Sequence, residues 1–190
     1  MADSSAQNAP APTVENAPLP TPPALLFVRL DELGINYKVH QHPPVFTVAE
    51  SEHVTAHIPG LHCRNLFIRD KAEKMFLVVA ANETRIDLKK LQVLLGCGRL
   101  SFGSAERLWR TLGVRPGSVC PFAIINDKTC AVNVILDKSM MGADIVNYHP
   151  MENHMTIGLT PGDLLKFVES CGHKPHIIDL GPAAPEERET

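Results

Sequence analysis

A chain of 190 residues, 44% hydrophobic and 21% charged, is long enough for one domain with a proper core and has the balance of an ordinary globular protein. Its net charge of −3 excludes a molecule that attracts nucleic acid over its whole surface, so an RNA contact needs a local basic patch and no DNA partner is expected. No apolar run reaches the roughly 20 residues of a membrane span, so no membrane partner is expected, and five scattered cysteines without Cys-x-x-Cys spacing point to a reducing, cytoplasmic setting rather than a disulfide framework.

Residues 1–22, rich in Ala and Pro, offer too little large apolar surface to offset the entropy of ordering and are predicted to be a disordered tail. They hold no Lys or Arg and no apolar stretch of signal-peptide type. The domain is predicted over 23–180, with a second flexible tail over 181–190. "ALLFVRLDELG" has helical spacing and stops at Gly34, and "YKVHQH" alternates as a strand. Thr47 and Glu50 form a capping-box pattern at the head of "TVAESEHVTAHI". "RNLFIRD" and "KMFLVVAA", joined by a charged turn, predict a hairpin. "DLKKLQVLLG" and "SAERLWRTLG" predict two helices, with Asp87 near the start of the first, Ser104 at the start of the second, and Gly96 and Gly113 just past their ends. "FAIIND" and "AVNVILD" predict a second hairpin, and "DIVNYHP" and "MTIGLT" two strands around a loop. "PGDLLKFVESCG" predicts a last helix with Pro161 in its first turn, and "KPHIIDL" a final short strand. Hairpins mixed with helices predict an α/β or α+β domain with a mixed sheet.

Three chemistries are open to the run His62, Cys63, Arg64, Asn65 that follows Pro59-Gly60. For a metal, His53 and His57 have the spacing to share an ion on a helix, but the Glu of a His-Glu-x-x-His motif is missing and no third ligand is marked, so no metal site is expected. His62 and Cys63 point to opposite faces of a strand and do not chelate one ion together. As a nucleophile, Cys63 lacks a neighbouring base, and alternation turns Arg64 away from it, so all five cysteines read as small buried hydrophobes. Gly-x-Ser-x-Gly, P-loop and Gly-x-Gly-x-x-Gly patterns are absent. For an anion clamp, Arg64 offers a bidentate fork and Asn65 an amide that both gives and accepts. Pro116-Gly117-Ser118 stands before an apolar run, where a glycine lets backbone N–H groups approach a ligand oxygen. His149 and Asn153 flank a Pro-containing loop. Each feature alone is also explained by a plain turn or hairpin loop.

Taken in order, "HPPVFTVAE", "HCRNLFIRD", "RLSFGSAERLWRTLGVRPGSVCPFAIIND", "VNYHPMENHMTIGLTPGDLLKFV" and "GHKPHIIDL" resemble the YbaK/ProX family of aminoacyl-tRNA deacylases, nearest to its freestanding ProXp-ala (PrdX-like) branch. The resemblance covers about residues 24–180. It implies a mixed, curved β-sheet with surrounding helices. It also implies hydrolysis of the ester between an amino acid and the terminal adenosine of tRNA, by water helped by the substrate's own ribose hydroxyl, without cofactor. The family usually reads Lys-Asn-Leu-Phe where this chain reads Arg64-Asn65-Leu66-Phe67, and a planar fork does not replace a compact ammonium. By resemblance, Arg64 and its partner Asn65 hold the terminal phosphate or ribose. Val45, Phe46 and Thr47 line the amino-acid pocket, Gly117 and Ser118 approach the ester carbonyl, and His149 and Asn153 belong to the His-Pro-x-x-Asn element. The implied substrate is the acceptor end of alanine-mischarged proline tRNA, with prolyl-tRNA synthetase as a candidate partner. Other cargoes (Ser, Thr or Cys) and a non-catalytic tRNA- or synthetase-binding module are the alternatives.

Overall fold

In the computed structural model, which describes residues 17–45 and 48–181, the strand "MFLVVAA" is the centre of the molecule. It forms β3 (Met75–Ala81), and all but its first residue are buried. A strand that is apolar on both faces must be covered on both faces, and the two cores divide its residues by parity. Leu77 and Val79 face a large core with Phe67, Val134 and Leu136, whereas Phe76, Val78 and Ala80 face a smaller one with Ile68 and Ile135.

Around β3 the sheet runs β1 (Lys38–Gln41), β7 (Met155–Leu159), β6 (Val146–Tyr148), β2 (Leu61–Arg69), β3, β5 (Val132–Asp137) and β8 (His176–Ile178), with β4 (Ser101–Phe102) paired to the far end of β2. The β2/β3 hairpin is antiparallel and pairs Arg64 with Ala80 and Asn65 with Val79. Asp70 closes its turn by accepting from the Lys74 amide at 2.9 Å. β2/β6, β3/β5 and β5/β8 are parallel, so the sheet is mixed, as the α/β reading expects.

The large core is closed by α1 (Pro23–Glu32), α4 (Ala105–Leu112) and α5 (Pro161–Ser170) through Leu26, Leu30, Leu108, Leu112, Leu164 and Phe167. The smaller core is closed by α3 (Leu88–Leu94) through Leu91. The helix ends obey their local chemistry. The Asp87 carboxylate accepts from the Lys89 and Lys90 amides, Ser104 from Arg107 and Thr160 from Asp163, while Gly113 leaves α4 at φ 64°. α2 (Val48–Thr55) precedes β2, and its expected capping residue Thr47 lies outside the described residues. His53 is exposed on α2 and His57 is exposed beyond its end, so they do not share a helix face.

Two expectations are corrected. "FAIIND" is not the first arm of a hairpin, because Pro121–Asn126 is a 3₁₀ turn packed in the large core. A short apolar run carries no period that separates strand from buried helix. Here Pro121 suits a first helical turn, and Asp127 accepts from the Ala131 and Val132 amides to turn the chain directly into β5. The predicted tail also ends too late. Leu19 packs against the large core, Thr21 donates to the Asn126 side chain at 2.7 Å, and Arg115 donates to the Ala17 carbonyl. Composition missed this because a single leucine and two polar contacts anchor the segment. Deleting residues 1–22 should therefore cost about 2 kcal/mol more than deleting 1–16, the sum of a part-buried leucine and a hydrogen bond. That difference lowers the melting temperature by about 4–8 °C. Equal melting of the two truncations by calorimetry would place residues 17–22 outside the stable fold.

Candidate functional site

The sequence Ile58-Pro59-Gly60-Leu61 brings the chain into β2 under tight packing. Gly60 sits at φ 112°, and a Cβ there would lie 2.9 Å from both Asn147 and Ile145 side-chain atoms, so only glycine fits. The four reactive side chains that follow then alternate. His62 bridges α2 to the strand: its Nε2–H donates to the Ile58 carbonyl at 3.0 Å, leaving Nδ1 to accept from Thr55 at 3.4 Å. Cys63 packs on the large core, where burial pushes its thiol up to about 12. Cys120, fully buried beside Met151, is raised to about 11 for the same reason. A thiol so far above neutral pH is not a ready nucleophile. Cys63→Ala should accordingly leave turnover within about threefold of the parent while lowering stability by about 1 kcal/mol. A turnover loss of about 100-fold in a folded Cys63→Ala protein would reinstate the thiol as a reacting group.

Arg64 and Asn65 are parted by the same alternation, which corrects the reading of the two as one clamp. Arg64 lies opposite Ala80, on the face of the smaller core, while Asn65 lies opposite Val79, on the face of the large core. The guanidinium donates from one terminal nitrogen to the Thr84 carbonyl. Thr84 is fixed in turn, its hydroxyl donating to buried Asp137 at 2.6 Å. The Arg64 Nε and the Asn65 Oδ1 are buried without a hydrogen-bond partner. Buried polar atoms left unpaired are uncommon in native folds and concentrate where a ligand or water completes them.

A second group of residues converges some way along the chain. Arg115-Pro116-Gly117-Ser118 is a type II turn: Pro116 presets its second position, Gly117 takes φ 85° at the third, and the Ser118 amide donates to the Arg115 carbonyl at 3.0 Å. The Ser118 amide is therefore engaged within the turn. Ser118 is buried, and with Arg115, Pro116, Met151, Glu152, Asn153 and His154 it lines a cavity of about 150 Å³. An engineered protein cavity of that size holds a benzene ring, so this one has room for a small side group.

The "HPPV" stretch is laced to the wall of this cavity. The His42 amide donates to the His154 carbonyl, the Val45 amide donates to the Asn153 carbonyl at 3.1 Å, and the Asn153 Nδ2 donates back to the Val45 carbonyl at 2.8 Å. Val45 is buried, and Phe46 and Thr47, which follow it, lie outside the described residues. His149 shares this corner. Its Nδ1–H donates to the Met155 carbonyl at 3.0 Å, which leaves Nε2 as the unprotonated nitrogen of the neutral ring, and its ring centroid is 6.1 Å from that of His42. Burial, with smaller contributions from His42 and His62, lowers its pKa and favours the neutral imidazole.

Ser118 and Asn153 are thus brought to one cavity, with Gly117 shaping its turn and Val45 bonded to its wall, while His149 stands beside His42 and Arg64 and Asn65 stand on the two faces of β2. Sequence reasoning passed over Arg115, Met151 and Glu152. Met151 is fully buried at φ 73°, a left-handed conformation uncommon outside glycine, and no local pattern announces it. Among the described residues no group of three or more His, Cys, Asp or Glu is placed to hold an ion, and no helix is long and apolar enough to cross a membrane.

The chain matches the model of the Aminoacyl-tRNA editing domain over residues 42–167. It is 40% identical over 156 residues to the Prolyl-tRNA editing protein ProX of Acetoanaerobium sticklandii, covering 82% of this chain and 95% of that one. It is 37% identical over 162 residues to Prolyl-tRNA synthetase associated domain-containing protein 1 of Bos taurus, covering 83% and 94%. Its fold matches a crystal structure described as a proposed trans-editing enzyme for prolyl tRNA synthetase, with a TM-score of 0.64, 22% identity, and coverage of 84% and 98%.

Proposed function

Because this chain belongs to the Aminoacyl-tRNA editing domain family, we propose that it is a trans-acting deacylase that hydrolyses the ester of tRNA mischarged by prolyl-tRNA synthetase, with Ala-tRNA(Pro) as its main substrate. The observation that carries this reading is the small cavity lined by Ser118 and Asn153. It has room for a short aminoacyl side group. A cavity that holds a benzene-sized group does not exclude the proline ring by volume, so a preference for alanine rests on the shape and lining of the pocket.

In this mechanism the aminoacyl group enters beside Ser118 and the terminal adenosine remains outside. The carbonyl oxygen lies against the Gly117–Ser118 turn, where the Gly117 N–H and the Ser118 hydroxyl serve the developing negative charge. The neutral His149 imidazole, its Nε2 accepting, orients the attacking water or the ribose hydroxyl. Arg64, steadied by the Thr84 carbonyl, meets the terminal phosphate. Asn65, on the other face of β2 with its Oδ1 buried, takes no part in that phosphate contact. The ester is already activated, so water attack needs no protein nucleophile, in keeping with the high thiol pKa values of Cys63 and Cys120.

The test is deacylation of Ala-, Ser-, Cys-, Thr- and Pro-tRNA(Pro) by the purified full-length protein. Alanine should be removed fastest, and Pro-tRNA(Pro) should survive. Preference for Ser, Thr or Cys would change the cargo. Binding of tRNA without turnover of any of the five would make the chain a tRNA- or synthetase-binding module.

A further inference from the structure

Glu152 lines the same cavity as Ser118 and Asn153, and the mechanism above makes no use of its charge. Met151, fully buried and held in the left-handed region, fixes the backbone from which Glu152 departs. The Glu152 side chain is 37% exposed, and its Oε2 lies 3.7 Å from His154 Nδ1. A carboxylate in a confined, partly dry wall gains from an incoming cation and loses when a neutral group takes that place. An aminoacyl group small enough for this cavity carries one positive charge of its own, the α-ammonium beside its ester carbonyl.

We propose that Glu152 receives the α-ammonium of the bound aminoacyl group and thereby restricts the site to substrates with a free amino terminus. The inference rests on the deacylase reading. It adds a specificity that side-chain size cannot supply. An N-acylated alanine has the same side chain, yet its amide is neutral and bulkier, and it offers the carboxylate no positive charge. Peptidyl- and formyl-type esters would thus be rejected by charge. Arg115 and His154 are the cationic or ionisable groups that share the cavity with Glu152, and neither substitutes for a carboxylate toward an ammonium.

Full-length protein is assayed at about pH 6.5, below the ordinary range of an α-amino group, on Ala-tRNA(Pro) and on N-acetyl-Ala-tRNA(Pro). The parent should favour the free amine by about 10- to 50-fold in kcat/KM, mainly through KM, the scale of a charge-assisted hydrogen bond that is partly exposed. Glu152→Gln should bring the two substrates within about threefold by weakening the free-amine form alone, Glu152→Asp should restore part of the preference, and His154→Ala should keep it. Binding of 3′-alanylamino-3′-deoxyadenosine and its N-acetyl form gives the same ratio without turnover. If the preference persists in Glu152→Gln, or if the parent hydrolyses both esters equally well, the inference is overturned while the deacylase reading stands. If the parent hydrolyses neither, the deacylase reading fails and this inference falls with it.

Discussion

Arg64→Ala is expected to lower kcat/KM for Ala-tRNA(Pro) about 10- to 1,000-fold. A charge-assisted hydrogen bond contributes about 1.5–3 kcal/mol, and lost positioning of the terminal nucleotide adds to that. One terminal nitrogen of the guanidinium is held by the Thr84 carbonyl, and Thr84 is tied to buried Asp137. The fork is thereby fixed on one side, an arrangement a planar guanidinium supports and an ammonium does not. Arg64→Lys should keep the charge and at least about a tenth of the parent's turnover, because the family's usual residue at this position is lysine and the phosphate contact survives. The salt dependence of tRNA binding should be shallower in Arg64→Ala by about 0.7 in slope, one fewer phosphate being neutralised on a single strand. A melting curve separates this from loosening of the Thr84 turn, for which about 1 kcal/mol is expected. A non-catalytic module predicts an inert parent and a gain of turnover in Arg64→Lys. Equal hydrolysis by the parent, Ala and Lys forms would make Arg64 a structural residue of the β2–β3 ladder.

The local layers of this fold were legible because local chemistry writes them. Asp87, Ser104 and Thr160 stand where helices begin and accept from the amides that need them, and Gly113 ends α4 in a conformation that other residues resist. The β2/β3 hairpin announces itself by two apolar runs and a charged turn. The three parallel pairings had no such mark, since they join strands that no single turn connects. The strand reading of "FAIIND" failed because a short apolar run looks alike in a buried 3₁₀ turn and a buried strand. The separation of Arg64 from Asn65 was readable: the alternation that turns Arg64 away from Cys63 also turns it away from Asn65. By contrast, the meeting of Arg115 and Ser118 with Glu152 and Asn153 depends on the β6–β7 loop folding over the loop after α4, and no spacing in the sequence encodes that.

Gly117→Val is expected to reduce kcat by about 100-fold or more, the scale for loss of an oxyanion donor. Gly117 holds φ 85° at the third position of a type II turn. An L-residue there costs about 1–2 kcal/mol, and a β-branched one resists the conformation most. The turn must then shift, and with it the Gly117 N–H and the Ser118 hydroxyl proposed to face the ester oxygen. Because the Ser118 amide is already donated to the Arg115 carbonyl, displacement of the turn leaves no second backbone donor from Ser118 to compensate. The loss should fall on kcat rather than KM, since these donors act on charge that develops in the transition state. Melting temperature should fall by only about 2–8 °C, the turn being a surface connection rather than core. Gly117→Ala carries the same backbone strain without a branched side chain, so it should lose less turnover for a similar fall in melting temperature. If Gly117→Val folds and keeps near-normal kcat, this turn serves the fold alone, and the ester carbonyl must be held elsewhere in the cavity.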